Sequence, residues 1–191
     1  MQSICVFCSS SDSIDEVYFK TAIDLGSQIG DLKLDLVYGG GGIGLMGAVA
    51  RSVHKNGGRV VGVFPEFLRE KDEGFEYIEA DELIIAETMR IRKAIMDERA
   101  DAFIVLPGGI GTLEEAIEIM SMKQLGLTDK PLAFVNTNNF YDSLISNFQM
   151  MVGLKFAKSS ILDLFAVCPN SSSALEFILS YKSKKKDNKY L

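Results

Sequence analysis

Residues 102–112 constrain this chain more than any other stretch. Ala102-Phe103-Ile104-Val105-Leu106 is an unbroken apolar run, the pattern of a strand buried on both faces of a parallel sheet. Pro107-Gly108-Gly109-Ile110-Gly111-Thr112 follows it. Behind that loop, apolar residues recur at Leu113, Ile117, Met120 and Leu125, at helical spacing. The order is therefore strand, glycine loop, helix. Gly108, Gly109 and Gly111 leave the loop amides free to turn toward a ligand. The helix start adds unpaired N–H groups and the positive end of its dipole, which suits phosphate.

Thr112 reads as the N-cap of this helix, with Glu114, Glu115 and Glu118 crowded into its first turns. Two readings of the acids stand open. Thr112-x-x-Glu115 is a capping box in form, and acids near a helix start need no further role. The same box lies directly behind a phosphate-type loop, where a carboxylate would stand beside a bound phosphosugar.

The rest of the chain repeats the alternation. Runs 4–8, 34–38, 60–64, 83–85, 131–135 and 164–168 read as strands, and 14–29, 45–55, 88–99, 140–151 and 172–181 as helices. Strands alternating with helices predict a Rossmann-like, doubly wound parallel sheet with helices on both faces. A single domain over 1–181 and a lysine-rich, disordered tail over 182–191 follow, with 65–82 as a charged, mobile surface loop. Ligands of such sheets bind beyond the carboxyl ends of the strands. That rule gathers Ser10 with its neighbours Ser9 and Ser11, Gly40 and Gly41 within 39–44, and the 107–112 loop along one edge. The serine hydroxyls there are placed to touch phosphate or ribose, or simply to close a turn.

Gly42-x-Gly44-x-x-Gly47 satisfies the dinucleotide fingerprint in form. It follows the second strand rather than the first, and Glu66, at ribose-binding distance, follows Pro65 rather than a clear strand end. Cys5-Val6-Phe7-Cys8 has metal spacing but lies in a strand, where positions i and i+3 face opposite sides. With His54 the only histidine, the cysteines read as packing residues and no metal site is expected. A 47% hydrophobic content excludes a disordered chain, and a net charge of −6 argues against general nucleic-acid or membrane-surface binding. No charged leader or spanning apolar run is seen, so a cytoplasmic protein is expected.

Pro107-Gly108-Gly109-x-Gly111-Thr112-x-x-Glu115 resembles the signature of the LOG (Lonely Guy) family of cytokinin-activating phosphoribohydrolases. So, in the same order, do the stretches 5–11, 38–41, 44–47 and 62–65, then Met89-x-x-Arg92-Lys93 and Gln124-Leu125-Gly126. The resemblance covers nearly the whole chain and weakens after about residue 154. It implies a Rossmann-like homodimer that cleaves nucleoside 5′-monophosphates, AMP or N6-modified AMP, into base and ribose 5-phosphate, without a cofactor. It further implies Arg92 and Glu115 as the catalytic pair. Substrate contacts would come from Lys93, from Gly108, Gly109, Gly111 and Thr112, and from Ser121. Many members of the family carry an older label of lysine decarboxylase, yet no pyridoxal-phosphate lysine motif is visible here. Where the family commonly has Asp-Met-His, this chain has Thr88-Met89-Arg90. The family's glutamate contact in the 65–82 segment falls on Glu70, Asp72 or Glu73.

Two rivals come from other classes. Gly42-x-Gly44-x-x-Gly47 alone would suit a nicotinamide-dependent oxidoreductase, and the glycine loops alone would suit a non-catalytic nucleotide-binding module. Product analysis separates the three.

Overall fold

The computed structural model of this protein describes residues 1–71 and 74–182, with the main chain alone at positions 70 and 71. Seven parallel strands form one sheet. They are β1 (Ser3–Phe7), β2 (Asp35–Tyr38), β3 (Val60–Pro65), β4 (Glu82–Ala86), β5 (Ala102–Val105), β6 (Leu132–Val135) and β7 (Ala166–Cys168), in the spatial order β4-β3-β2-β1-β5-β6-β7. The chain lays strands outward from β1 to one edge, then crosses back and continues outward from β5 on the other side. The order reverses between β1 and β5, which is where such sheets open a crevice for ligands.

Among the described residues, six α-helices connect the strands and a seventh follows β7: α1 (Glu16–Asp31), α2 (Gly44–Lys55), α3 (Glu66–Lys71), α4 (Met89–Arg99), α5 (Ile110–Gln124), α6 (Asp142–Gly153) and α7 (Ser171–Ser180). Alternation along the strands divides the core in two. Ile4, Val6, Leu36, Tyr38 and Ile104 pack with α1, α2 and α7 on one face. Cys5, Phe7, Val37, Phe103 and Val105 pack with α4, α5 and α6 on the other. Both layers are apolar because a central parallel strand meets helices on each side.

Cys5 and Cys8 do fall on opposite faces, one in each layer, and both are buried. Two sequence expectations need correction. The helix after β5 begins at Ile110, not Leu113; Gly109 rather than Thr112 is its N-cap, and Thr112 is a buried residue of the first turn. The loop carries the chain into helical geometry earlier because glycine caps a helix start without a side-chain bond. The segment 65–82 is also more than a loop. It holds α3, and its residues 75–77 bridge back to the glycine loop after β2 through Gly41 and Glu76. Its charged sequence hides this, because main-chain pairing supplies the order. Residues 183–191 of the expected tail lie outside the described residues.

Candidate active site

The carboxyl ends of β1, β2, β3 and β5 open onto a cavity of about 620 Å³. Cys8, Ser9, Ser10 and Ser11 line it from the loop after β1, and Gly39 and Gly41 from the loop after β2. Phe64 and Pro65 end β3 against it, and Gly109, Gly111 and Thr112 face it from the start of α5. The loops are tied to one another: the amide of Ser9 donates to the carbonyl of Pro107 at 3.3 Å.

Arg92 from α4 and Glu115 from α5 meet inside this cavity. Arg92 Nη1 donates to Glu115 Oε1 at 2.7 Å, with both side chains more than nine-tenths buried. Arg92 Nε donates to the carbonyl of Val63 at 2.9 Å, which fixes the guanidinium from the sheet side. Gly39 makes room for it: a Cβ there would come within 2.2 Å of Arg92 Nη2. Burial pushes the Glu115 carboxyl up, and Arg92 beside it only partly offsets that, so the group titrates above its ordinary range. A buried ion pair of this kind is poor evidence of stabilisation, because desolvation consumes much of the attraction. Its value here is geometric. It holds one carboxylate oxygen and leaves the other for chemistry.

The two glycine-rich loops differ in what their helix starts offer. At α2 the amides are already occupied: Gly44 N–H donates to Asp12 Oδ1 at 2.8 Å, and Leu45 N–H to the Ser9 carbonyl at 2.9 Å. Met46 N–H points at the same Ser9 carbonyl at 3.3 Å. At α5 the first amide to find a carbonyl is that of Leu113, on Gly109 at 3.1 Å. Among the described residues, the amides of Gly109, Ile110, Gly111 and Thr112 meet no acceptor. The start of α5, beside Glu115, is therefore the helix start whose amides are open to an anion. The dinucleotide-like fingerprint is filled from within, and β2 stands one strand away from the reversal between β1 and β5.

Comparison with known proteins bears on what this arrangement serves. Cytokinin riboside 5'-monophosphate phosphoribohydrolase LOG2 of Arabidopsis thaliana is 40% identical over 184 residues, covering 96% of this chain and 85% of that protein. The LOG5 protein of the same plant is 41% identical over 180 residues, covering 94% of this chain and 78% of its own length. This chain belongs to the LOG family. The family profile described as "Possible lysine decarboxylase" matches residues 46–178. A solved structure of the molybdenum cofactor binding protein from Rippkaea orientalis shares the fold at a TM-score of 0.70 and 20% identity, covering 94% of this chain and 97% of that one.

The decarboxylase wording finds no support in the cavity of this LOG protein. A pyridoxal-phosphate enzyme holds its cofactor on a lysine, and no lysine among the described residues lines the cavity. Lys93 instead pairs with Glu114 and, at 2.7 Å, with Glu118 Oε2. It lines a smaller cleft between α4 and α5 that touches Glu115 from the far side. Of the other expected residues, Ser10, Gly41, Gly109, Gly111, Thr112, Arg92 and Glu115 share the main cavity. Gly40 and Gly108 sit in the same loops without lining it, and Ser121 is exposed further along α5. Asp72, Glu73 and the side chain of Glu70 lie outside the described residues. The acid that this segment brings against the glycine loop is Glu76, paired with Arg69 at 3.3 Å. Sequence reasoning also missed the apolar part of the cavity, made by Met46, Phe67, Leu68, Phe75 and Met89. Their only signal is apolarity in charged or loop-like sequence, which does not say where a side chain points.

Proposed function

We propose that this protein hydrolyses the N-glycosidic bond of adenosine 5′-monophosphate and of its N6-modified forms, yielding free base and ribose 5-phosphate. The observation that carries the proposal is the pairing of a buried carboxylate, Glu115, with unoccupied helix-start amides in one cavity. Relatives at about 40% identity named as phosphoribohydrolases support the same reading.

In this scheme the 5′-phosphate sits on the amides of residues 109–112, Ser10 and Gly41 complete the nucleotide's seat, and Gly40 and Gly108 shape the loops behind it. The C1′–N9 bond breaks with its electron pair leaving on the base, and positive charge builds on the ribose. Glu115 faces that charge and takes a proton from the attacking water, whose oxygen bonds to C1′; the proton ends on the departing base. Arg92 keeps its charge throughout and aims the carboxylate. Its remaining N–H groups are left to meet negative charge on the substrate. The geometry of a single protomer gives Lys93 and Ser121 no contact with this cavity. No metal or cofactor enters the scheme.

The proposal extends to a cytoplasmic homodimer. Leu125, Leu127, Met150, Met151, Leu154 and Phe156 are exposed at the ends of α5 and α6, with Leu127 70% and Phe156 85% accessible. Apolar exposure on that scale suits a covered face. No helix among the described residues is long and apolar enough to cross a membrane.

Incubation of the purified protein with AMP and a panel of N6-substituted analogues, followed by chromatography, tests the reaction. Equal amounts of free base and ribose 5-phosphate are expected. Oxidation of NADH, or tight nucleotide binding without turnover, would defeat the proposal.

A further inference from the structure

The segment 74–81 crosses the carboxyl edge of the sheet and pairs with the glycine loop after β2. Gly42 N–H donates to the Phe75 carbonyl at 2.6 Å, and Tyr77 N–H to the Gly40 carbonyl at 2.8 Å. These bonds put Phe75 into the substrate cavity and fix the loop that carries Gly39 and Gly41. Two main-chain bonds on an isolated bridge hold such a segment weakly. Something further must fix it.

That support comes from His54, on the last turn of α2. Its Nε2 lies 2.8 Å from Asp81 Oδ2, and its Nδ1 lies 2.9 Å from the Tyr77 hydroxyl. The Tyr77 hydroxyl also lies 3.2 Å from Glu79 Oε2, and Asp81 Oδ2 accepts the Val60 amide at 2.7 Å. Asp81 is held below the usual carboxylate range, first by the Val60 N–H and then by His54. The carboxylate is therefore an acceptor; Nε2 carries the proton toward it, and the Tyr77 hydroxyl donates to Nδ1. The imidazole spans Asp81, which the Val60 amide ties to β3, and the buried ring of Tyr77, which packs in the α1/α2 layer. The rings of His54 and Tyr77 also face each other, with centroids 5.5 Å apart. None of these groups lines the substrate cavity.

We propose that His54 and Tyr77 form a clasp that positions segment 74–81 on the glycine loop, making both of them positioning residues for the reaction. The clasp acts on the shape of the cavity and not on the reacting pair. The hydrogen bonds that hold Arg92 and Glu115, to the Val63 carbonyl and to each other, involve neither segment 74–81 nor the glycine loop. Loosening the clasp therefore weakens substrate binding and leaves the chemical step nearly intact. The kinetic half of this inference rests on the hydrolase reading above; the positional half does not.

Tyr77→Phe keeps the buried ring and removes only the hydroxyl. His54→Asn removes the span to Tyr77. Amide hydrogen exchange on the unliganded variants tests the position directly. Protection of the Gly42 and Tyr77 amides should fall about tenfold in each variant, the size of one lost hydrogen bond. Protection of the β1 and β5 amides should be unchanged. With AMP, KM should rise about tenfold in each variant while kcat stays within about twofold of wild type. The double variant should be no worse than the worse single one, because both remove the same contact. Unchanged Gly42 and Tyr77 protection overturns the clasp. So does a lower melting temperature with unaltered KM, which would reduce the pair to ordinary packing. A wild-type protein inactive on every nucleotide would reject the hydrolase reading, and the exchange data would then judge the clasp alone.

Discussion

Glu115 carries the proposed chemistry, and its burial makes two properties measurable. Glu115→Gln keeps an oxygen for Arg92 but strands a buried positive charge. Breaking such a pair costs about 3 kcal/mol or more. For a chain of this length that lowers the melting temperature by roughly 6–12 °C. Turnover of AMP, assayed well below that temperature, should fall by about 10²–10³ through the lost charge stabilisation. A variant of near-normal activity would reduce Glu115 to a structural ion-pair partner. The second property is the acid limb of the pH–rate profile. The working form is the carboxylate, and burial raises its pKa above the ordinary glutamate range. Activity is therefore lost as pH falls through that raised value, so the limb should lie above about pH 4.5. A limb in the ordinary carboxylate range would mean that another group controls the reaction.

The start of α5 should make the 5′-phosphate obligatory. Its open amides have little use except for an anion. Several charge-assisted hydrogen bonds at roughly 1.5–3 kcal/mol each favour AMP over adenosine by at least about 10³-fold in kcat/KM. Comparable efficiency for the two substrates would remove the phosphate from this loop and with it the assignment of the site. How much of this was legible beforehand differs between elements. β5 and the glycine loop stood out because an apolar run and a helical period flank them, and the alternation of elements gave the parallel sheet. The start of α5 was misplaced at Thr112, since a Thr-x-x-Glu pattern is read as a cap whether or not glycine has already turned the chain. The GxGxxG-like loop could not be told from a ligand loop, because the groups that fill it, Asp12 and the Ser9 carbonyl, are contributed from the loop after β1. The 74–81 segment was invisible for a similar reason: its order comes from main-chain pairing and from His54, neither of which has a periodic trace.

In the whole molecule, the exposed apolar ends of α5 and α6 give the dimer proposal its test. Sedimentation should find a dimer, and Leu127→Asp combined with Phe156→Asp should leave a folded monomer. A wild-type monomer would leave that face without a partner copy. The two-layered core has a different consequence. All three cysteines of the chain are buried and unbonded, Cys5 and Cys8 on the central strand β1 or just beyond it, and Cys168 on the edge strand β7. In the folded state a thiol reagent has almost nothing to modify, so each adduct reports an opening event. Cys168 should label first, during partial detachment of the edge, while Cys5 should wait for both helical layers to part; Cys8 lines the cavity and reports on access through it instead. Mass spectrometry of a labelling time course would then read out the order in which the sheet comes undone, with no engineered probe. Simultaneous labelling of Cys5 and Cys168 would mean that the sheet opens as one unit.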